Sequence, residues 1–198
     1  MEVMHHMGKL SQFSKVYIVD LSSSLLEIAR RRKEKYGWKN VEIVEGDATT
    51  FNPPEAGKVD VITFSYSLTM IPDWFLALEH AKELLKPKGG VIGVVDFYVT
   101  RKYPGAVIYS IFFCPPQTPK TFVAKQAEGY KRHSWFSRTF WQVWFAADNV
   151  NLSPDHLPWL YTHFTKLYVD ERWGSAPIVP FIKTPHYIFI GTTNLVLK

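Results

Sequence analysis

Val59-Asp60-Val61-Ile62-Thr63-Phe64 and, further on, Val91-Ile92-Gly93-Val94-Val95-Asp96 decide the fold. Both are short apolar runs rich in β-branched residues, the composition of strands covered on two faces. Between them Pro72-Asp73 opens a helical pattern, with Asp73 placed to cap its free N–H groups. Phe75, Leu78, Lys82 and Leu85 fall on one face of that helix, and Pro87 with Gly89-Gly90 closes it. A strand, a crossover helix and a strand make a right-handed parallel unit. In open α/β sheets ligands bind beyond the carboxyl ends of the strands. Here those ends carry Ser65, Tyr66 and Ser67 on the first strand, and Asp96, Phe97 and Tyr98 on the second. Function is expected at that edge.

Working outward, Val16-Tyr17-Ile18-Val19-Asp20 is a strand that ends in a carboxylate. The serines 22–24 offer helix caps, Ser24 with Glu27 fits a capping box, and Leu25, Ile28 and Ala29 are expected to face the core. Arg30-Arg31-Arg32-Lys33 suits the negative end of that helix, and Gly37 stops it. Val41-Glu42-Ile43-Val44-Glu45 is the next strand, followed by Gly46-Asp47-Ala48. Residues 16–99 therefore read as strand–helix–strand–loop–strand–helix–strand, about half to two thirds of a doubly wound sheet. Ahead of it, Met4, Met7, Leu10 and Phe13 predict an amphipathic helix. Beyond it, residues 101–132 are broken by Pro104-Gly105, Pro115-Pro116 and Pro119 and read as an insertion or a lid. From Ser134 an aromatic helix follows, with Ser137 as its cap and Trp141, Trp144 and Phe145 as one face. Asn151 to Pro158 is a polar turn, and Thr162–Val169 with Tyr187–Thr193 predicts a closing antiparallel pair. The whole, residues 1–198, is expected to be one α/β domain.

Composition narrows the function classes. Hydrophobic content of 46% and charged content of 21% are those of an ordinary globular chain. The single cysteine, Cys114, excludes an intramolecular disulfide. No apolar run approaches the ~20 residues of a membrane helix, and no signal-peptide core is evident. The expected location is therefore cytoplasmic or peripheral on the cytoplasmic side of an internal membrane. The net charge of +5 is uneven, because the basic excess lies entirely in the second half, where the aromatics also concentrate. Such a half suits an anionic membrane surface as well as a solvated basic face, whereas nucleic acid is disfavoured because no Lys/Arg run there exceeds two residues. Seven scattered histidines give no metal-ligand spacing, so no metal site is expected.

Asp20 stands where nucleotide-binding α/β proteins place an acid on a ribose, since one carboxylate accepts from both hydroxyls. A strand-end Asp also reads as a plain helix cap. Asp47 follows the neighbouring strand, and it reads either as an acceptor for an adenine amino group or as an Asx-turn residue. Two acids at adjacent strand tips, with the helix exit Leu84-Leu85-Lys86-Pro87-Lys88-Gly89-Gly90, resemble a class I S-adenosylmethionine-dependent methyltransferase. The resemblance implies a Rossmann-like fold and S-adenosyl-L-methionine as cofactor. It implies Asp20 with Leu21 at the ribose, Asp47 with Ala48 at the adenine end, and Ser65, Tyr66 and the residues up to Leu68 on the methionine and substrate side.

Four longer stretches sharpen it: Gly37-Trp38-Lys39-Asn40-Val41, Ser65 to Pro72, Val94 to Val99, and Trp135 to Trp141. They resemble the methyltransferase half of betaine-lipid (diacylglyceryl-trimethylhomoserine) synthases. That implies N-methylation of a lipid-linked homoserine amine, peripheral membrane contact, and a fused or separate aminocarboxypropyltransferase half as partner. Tyr66, Tyr98, Trp135 and Phe136 are then candidates for an aromatic cage around the quaternary ammonium. Asp96 is a candidate base for the amine, and Arg138 a bidentate partner for the homoserine carboxylate. Methyltransferases of this class begin with a strand and a glycine-rich loop, and Gly8 is the only glycine before Gly37. The chain is accordingly expected to be an N-terminal truncation of the domain, its sheet lacking the first strand. Its Val16 and Val59 strands should pair directly or leave open edges. Cofactor binding by the chain alone is expected at millimolar strength or weaker, about 4 kcal/mol. Two other readings are a class I methyltransferase for a different small molecule and a catalytically inactive methyltransferase-like binding module.

Overall fold

The structure is a computed structural model that describes residues 12–54, 58–100, 133–147, 150–176 and 179–193. Most of the expected N-terminal helix and the whole of the 101–132 stretch, read as an insertion or a lid, lie outside these residues. In chain order the elements are β1 (Val16–Asp20), α1 (Ser23–Tyr36), β2 (Val41–Glu45), β3 (Val61–Ser65), a 3-10 turn (Leu68–Met70) and α2 (Trp74–Leu84). Then come β4 (Val91–Phe97), α3 (Trp135–Ala146), α4 (His156–His163), β5 (Thr165–Ala176) and β6 (Val179–Thr192). The expected order of strands and helices over residues 16–99 is found, with the third strand at Val61–Ser65 and not from Val59.

Two sheets result. β1 and β2 pair in parallel, Val16 opposite Val41 and Asp20 opposite Glu45. The other sheet runs β3-β4-β6-β5, with β3 and β4 parallel and the remaining pairs antiparallel. The expected closing pair is thus the long β5–β6 hairpin, which also completes the free side of β4. Among the described residues β1 and β3 do not pair with each other, so each keeps one open edge. Of the two expected outcomes, the structure shows the second.

The main core lies where α2 and α4 cover the larger sheet, with Leu78, Ala81, Ile92, Val94, Leu160 and Phe189 at its centre. A smaller cluster gathers Val99, Trp141 and Leu152 against Phe97 and Phe145. Several faces and caps differ from the expectations. In α1 the buried residues are Leu26 and Ala29, while Leu25 and Ile28 are exposed. Its cap is Ser22, whose Oγ accepts from the Leu25 N–H, and Glu27 pairs with Arg30 and Arg31 in place of a capping box. In α2 the buried face is Ala77, Leu78 and Ala81, and Phe75 points outward. Asp73 offers α2 its carbonyl and makes no side-chain cap. Ser134, not Ser137, caps α3. The polar stretch 151–158 contains the start of α4, which buries His156, Leu157 and Leu160.

Candidate functional site at the strand tips

β1 and β2 end side by side, and the loops that follow them carry the two acids. Asp20 Oδ1 accepts from the Ser22 N–H at 2.8 Å, which turns the chain into α1. Its carbonyl accepts from the Gly46 N–H at 3.1 Å, so the β2 exit is tied to the β1 exit. Asp47 Oδ1 accepts from both the backbone N–H and the hydroxyl of Thr49, each at 2.8 Å. These two bonds, the backbone one foremost, hold the Asp47 carboxyl below the usual carboxylate range. That turn role agrees with the Asx-turn reading of Asp47, whereas Asp20 stands before the Ser22 cap and is not itself the expected helix cap. These bonds do not exhaust the two acids, because among the described residues nothing bonds Oδ2 of either carboxylate. Each oxygen can accept from a hydroxyl or an amino group. Leu21 is exposed beside Asp20, and Ala48 packs inward against the main core.

The β3 and β4 tips are built differently. Ser65 is exposed at the end of β3, and the next residue, Tyr66, has φ +52°, a left-handed conformation unusual for a bulky residue. Its N–H donates to the Val95 carbonyl at 2.7 Å, and its ring lies against Phe97, centroids 4.7 Å apart. At 44% exposed, the ring still presents a face to solvent. Burial, and then the nearby Asp96 charge, raise its phenol pKa.

Asp96 is wholly buried. Its carboxylate accepts from the Thr69 hydroxyl at 2.9 Å, the Thr69 N–H at 3.2 Å and the Phe97 N–H at 2.8 Å. Burial pushes this acid up to about 6, against the opposing pull of those bonds. The 3-10 turn that follows Tyr66 is thereby anchored to the β4 tip, and the strained tyrosine is held between them. Strain of this kind persists only where the surroundings over-determine it.

The four cage candidates do not converge. Tyr66 meets Phe97, whereas Tyr98 is buried among His133 and Tyr187 and its hydroxyl donates to the Glu171 carboxylate. Trp135 and Phe136 stand exposed on α3, apart from the ring contacts that Tyr66 makes with Phe97 and Tyr98 with His133 and Tyr187. Arg138, half-buried on the first turn of α3, lies close enough to His133 for its charge to add to the burial that lowers that histidine to about 4. Sequence reasoning missed Thr69, whose hydroxyl gives Asp96 its partner; nothing in Leu68-Thr69-Met70 marks it out. It also missed a cleft of about 450 Å³ between the 3-10 turn, the start of α2 and the end of α3. Leu68, Ile71 and Trp74 line one side and Gln142, Asn151 and Ser153 the other, with no ionisable side chain in the lining. Among the described residues no cluster of His, Cys, Asp or Glu is suited to hold a metal.

Residues 3–89 match the methyltransferase domain family. Demethylmenaquinone methyltransferase of Bacillus mycoides (strain KBAB4) is 28% identical over 134 residues, covering 67% of this chain and 54% of that protein. The chain spans about half the length of the curated relatives it matches. Among solved structures, TehB from Haemophilus influenzae superposes with a TM-score of 0.56 at 13% identity, over 91% of this chain and 50% of that one. The N-methyltransferase NodS from Bradyrhizobium japonicum WM9, in complex with S-adenosyl-L-homocysteine, superposes at 0.54 with 11% identity, over 89% and 66%. The chain has the Rossmann-like methyltransferase fold, closed at its C-terminal side by the antiparallel pair β5–β6.

Proposed function

We propose that the chain is an S-adenosylmethionine-dependent methyltransferase that acts on the amine of a lipid-linked homoserine. The observation that carries the enzyme class is the pair of carboxylates at adjacent parallel strand tips, each with Oδ2 open among the described residues, inside a segment that matches methyltransferase domains. Asp20 holds the cofactor's ribose and Asp47 its adenine end, with Leu21 and Ala48 as the apolar contacts beside them. Ser65 and Tyr66 face the methionine arm and the acceptor. When bound, the cofactor supplies an electrophilic methyl on a sulfonium. The chain's own task is to align a neutral nucleophile with it, and positioning of that kind is where most of the rate arises. Tyr66 offers a cation-attracting ring face to the methylated amine. Arg138 is assigned to the acceptor's carboxylate. Asp96 is assigned a positioning role, since its carboxylate is fully buried and accepts from the Thr69 hydroxyl and the Phe97 N–H.

The choice of a lipid-linked amine rests on the four stretches that resemble betaine-lipid synthases. An aminocarboxypropyl-transferring partner would supply that acceptor. One observation favours a second reading: the cleft beside the 3-10 turn has a neutral lining, which suits an uncharged, partly apolar acceptor. The Bacillus relative is named for such a molecule, demethylmenaquinone.

Two experiments test these readings. In calorimetry with S-adenosylmethionine, the full chain is expected to bind at millimolar strength or weaker, and Asp20→Ala to abolish the heat. Equal binding by the variant would remove Asp20 from the site. With labelled methyl donor, transfer to diacylglyceryl-homoserine supports the first acceptor and transfer to demethylmenaquinone the second. A folded chain that methylates neither would overturn both acceptors and leave a methyltransferase for another small molecule or an inactive binding module, which cofactor binding would separate.

A further inference from the structure

The cleft between the 3-10 turn and the end of α3 is held in shape by the fold before anything enters it. One wall carries Leu68, Ile71 and Trp74, the other Gln142 and Asn151. Thr69 joins the two. Its hydroxyl and N–H donate to the buried Asp96 carboxylate, and its carbonyl accepts from the Asn151 N–H at 2.9 Å. The Val150 N–H donates to the Phe145 carbonyl at 3.0 Å, which ties the second wall to α3. The cleft is thereby fixed to the β4 tip through Asp96, on the ligand-binding edge of the sheet. At about 450 Å³ it has the size of a small-molecule site, and such sites are usually preformed.

Its chemistry is selective. Among the described residues none of the lining is ionisable, so a charged group entering the cleft would give up water and meet no counterion. The carboxamides of Gln142 and Asn151 each offer donors and an acceptor. Gln142 also stands four residues after Arg138, one turn along the same face of α3. Side chains so placed start about 5–6 Å apart and reach two parts of one molecule, a charged end and an uncharged body. We infer that this cleft seats the uncharged body of the methyl acceptor, and that Gln142 selects it by hydrogen-bonding a carbonyl or hydroxyl oxygen. Leu68, Ile71 and Trp74 take the apolar part beside that oxygen. The inference rests on the methyltransferase reading and adds to it a specificity-determining residue. The same chemistry is offered by the glycerol esters of a lipid-linked homoserine, whose charged end lies outside at Arg138, and by a quinone ring.

The test is calorimetric titration of the full chain with two soluble probes, dihexanoylglyceryl-homoserine and a short-tailed demethylmenaquinone. Gln142→Met keeps the length of the side chain and removes its hydrogen bonding. It is expected to bind the probe about tenfold more weakly than the wild type, the usual cost of leaving one ligand oxygen unpaired. Val143→Ala, the next position on α3 and 68% exposed, is expected to bind as the wild type does. Gln142 is exposed, so Gln142→Met should melt with the wild type, which separates lost binding from a lost fold. Which probe binds identifies the source of the oxygen. A probe that binds the wild type and Gln142→Met equally would overturn the inference and leave the acceptor reading standing. A folded chain that binds neither probe would overturn both.

Discussion

Thr69 and Asp96 together decide how the β3 tip is held. The Thr69 hydroxyl donates to a carboxylate that burial would otherwise leave poorly solvated. Thr69→Val keeps the shape and removes that donor. It is expected to cost about 1–3 kcal/mol in denaturant unfolding, the usual range for a lost bond to a buried charged group. Because the bond is one of the causes that lower Asp96, its loss should raise that acid above its present value of about 6, which carboxyl NMR titration would read. Thr69→Ser, which retains the hydroxyl, should restore both. A valine variant with wild-type stability and an unmoved Asp96 would show the bond to be incidental. The residue scale is also where the sequence is least explicit. That Asp20 and Asp47 stand at strand tips follows from strand lengths alone, whereas the setting of Asp96 and Tyr98 depends on distant chain: β6 brings Tyr187 beside both, and β5 brings Glu171 to the Tyr98 hydroxyl.

At the scale of elements, Gly90 shows how tightly the α2–β4 connection is drawn. A Cβ there would stand 2.6 Å from the Lys86 carbonyl oxygen, a backbone atom that cannot swing aside. Gly90→Ala is expected to lower stability by about 1–3 kcal/mol, measured by thermal unfolding, through forced backbone movement. Ala at Gly89 is a different case, since its cost arises from φ +80° in open space. Strands 16–20, 41–45 and 91–97 were legible because period and β-branching agree with their tertiary setting. The helix faces were less so. In α1 the choice between Leu25 and Leu26 turns on a rotation of one residue, and three neighbouring serines give no unique start. α4 was hidden because Ser153-Pro154-Asp155 and Pro158 read as a turn. They are instead the entry to a short helix, where proline in the first turn removes no internal bond.

For the whole molecule, His133, His156 and Asp96, buried groups with shifted pKa values among the described residues, bear on the response to acid. His156 is buried with neither ring nitrogen hydrogen-bonded, lies edge-on to Trp74, and is lowered to about 4 by burial, against the opposing charge of Asp155. His133 is lowered to about 4 as well. Unfolding lets both return towards 6.5, so the unfolded chain binds more protons and stability falls as pH drops from 6.5 to about 4. Asp96 has the opposite sign. Its raised pKa favours the folded state below 3.8, and that contribution is lost as pH rises through about 6. Two groups oppose one, so the net expectation between pH 6 and 4 is destabilisation by acid. His156→Leu should shallow the slope by up to about 1.4 kcal/mol per pH unit in urea unfolding at a series of pH values. An unchanged slope would mean that His156 is solvated in the folded protein.

The position of β6 has a consequence in time. β4 carries β3 on one side and waits on the other for residues 186–192, which pair with it across a long stretch of chain. At cellular synthesis rates the residues between Phe97 and Thr192 take on the order of 5–20 s to be made. Throughout that interval a nascent chain shows the apolar β3–β4 pair with its inner edge bare, long enough to call for a chaperone's protection on the ribosome.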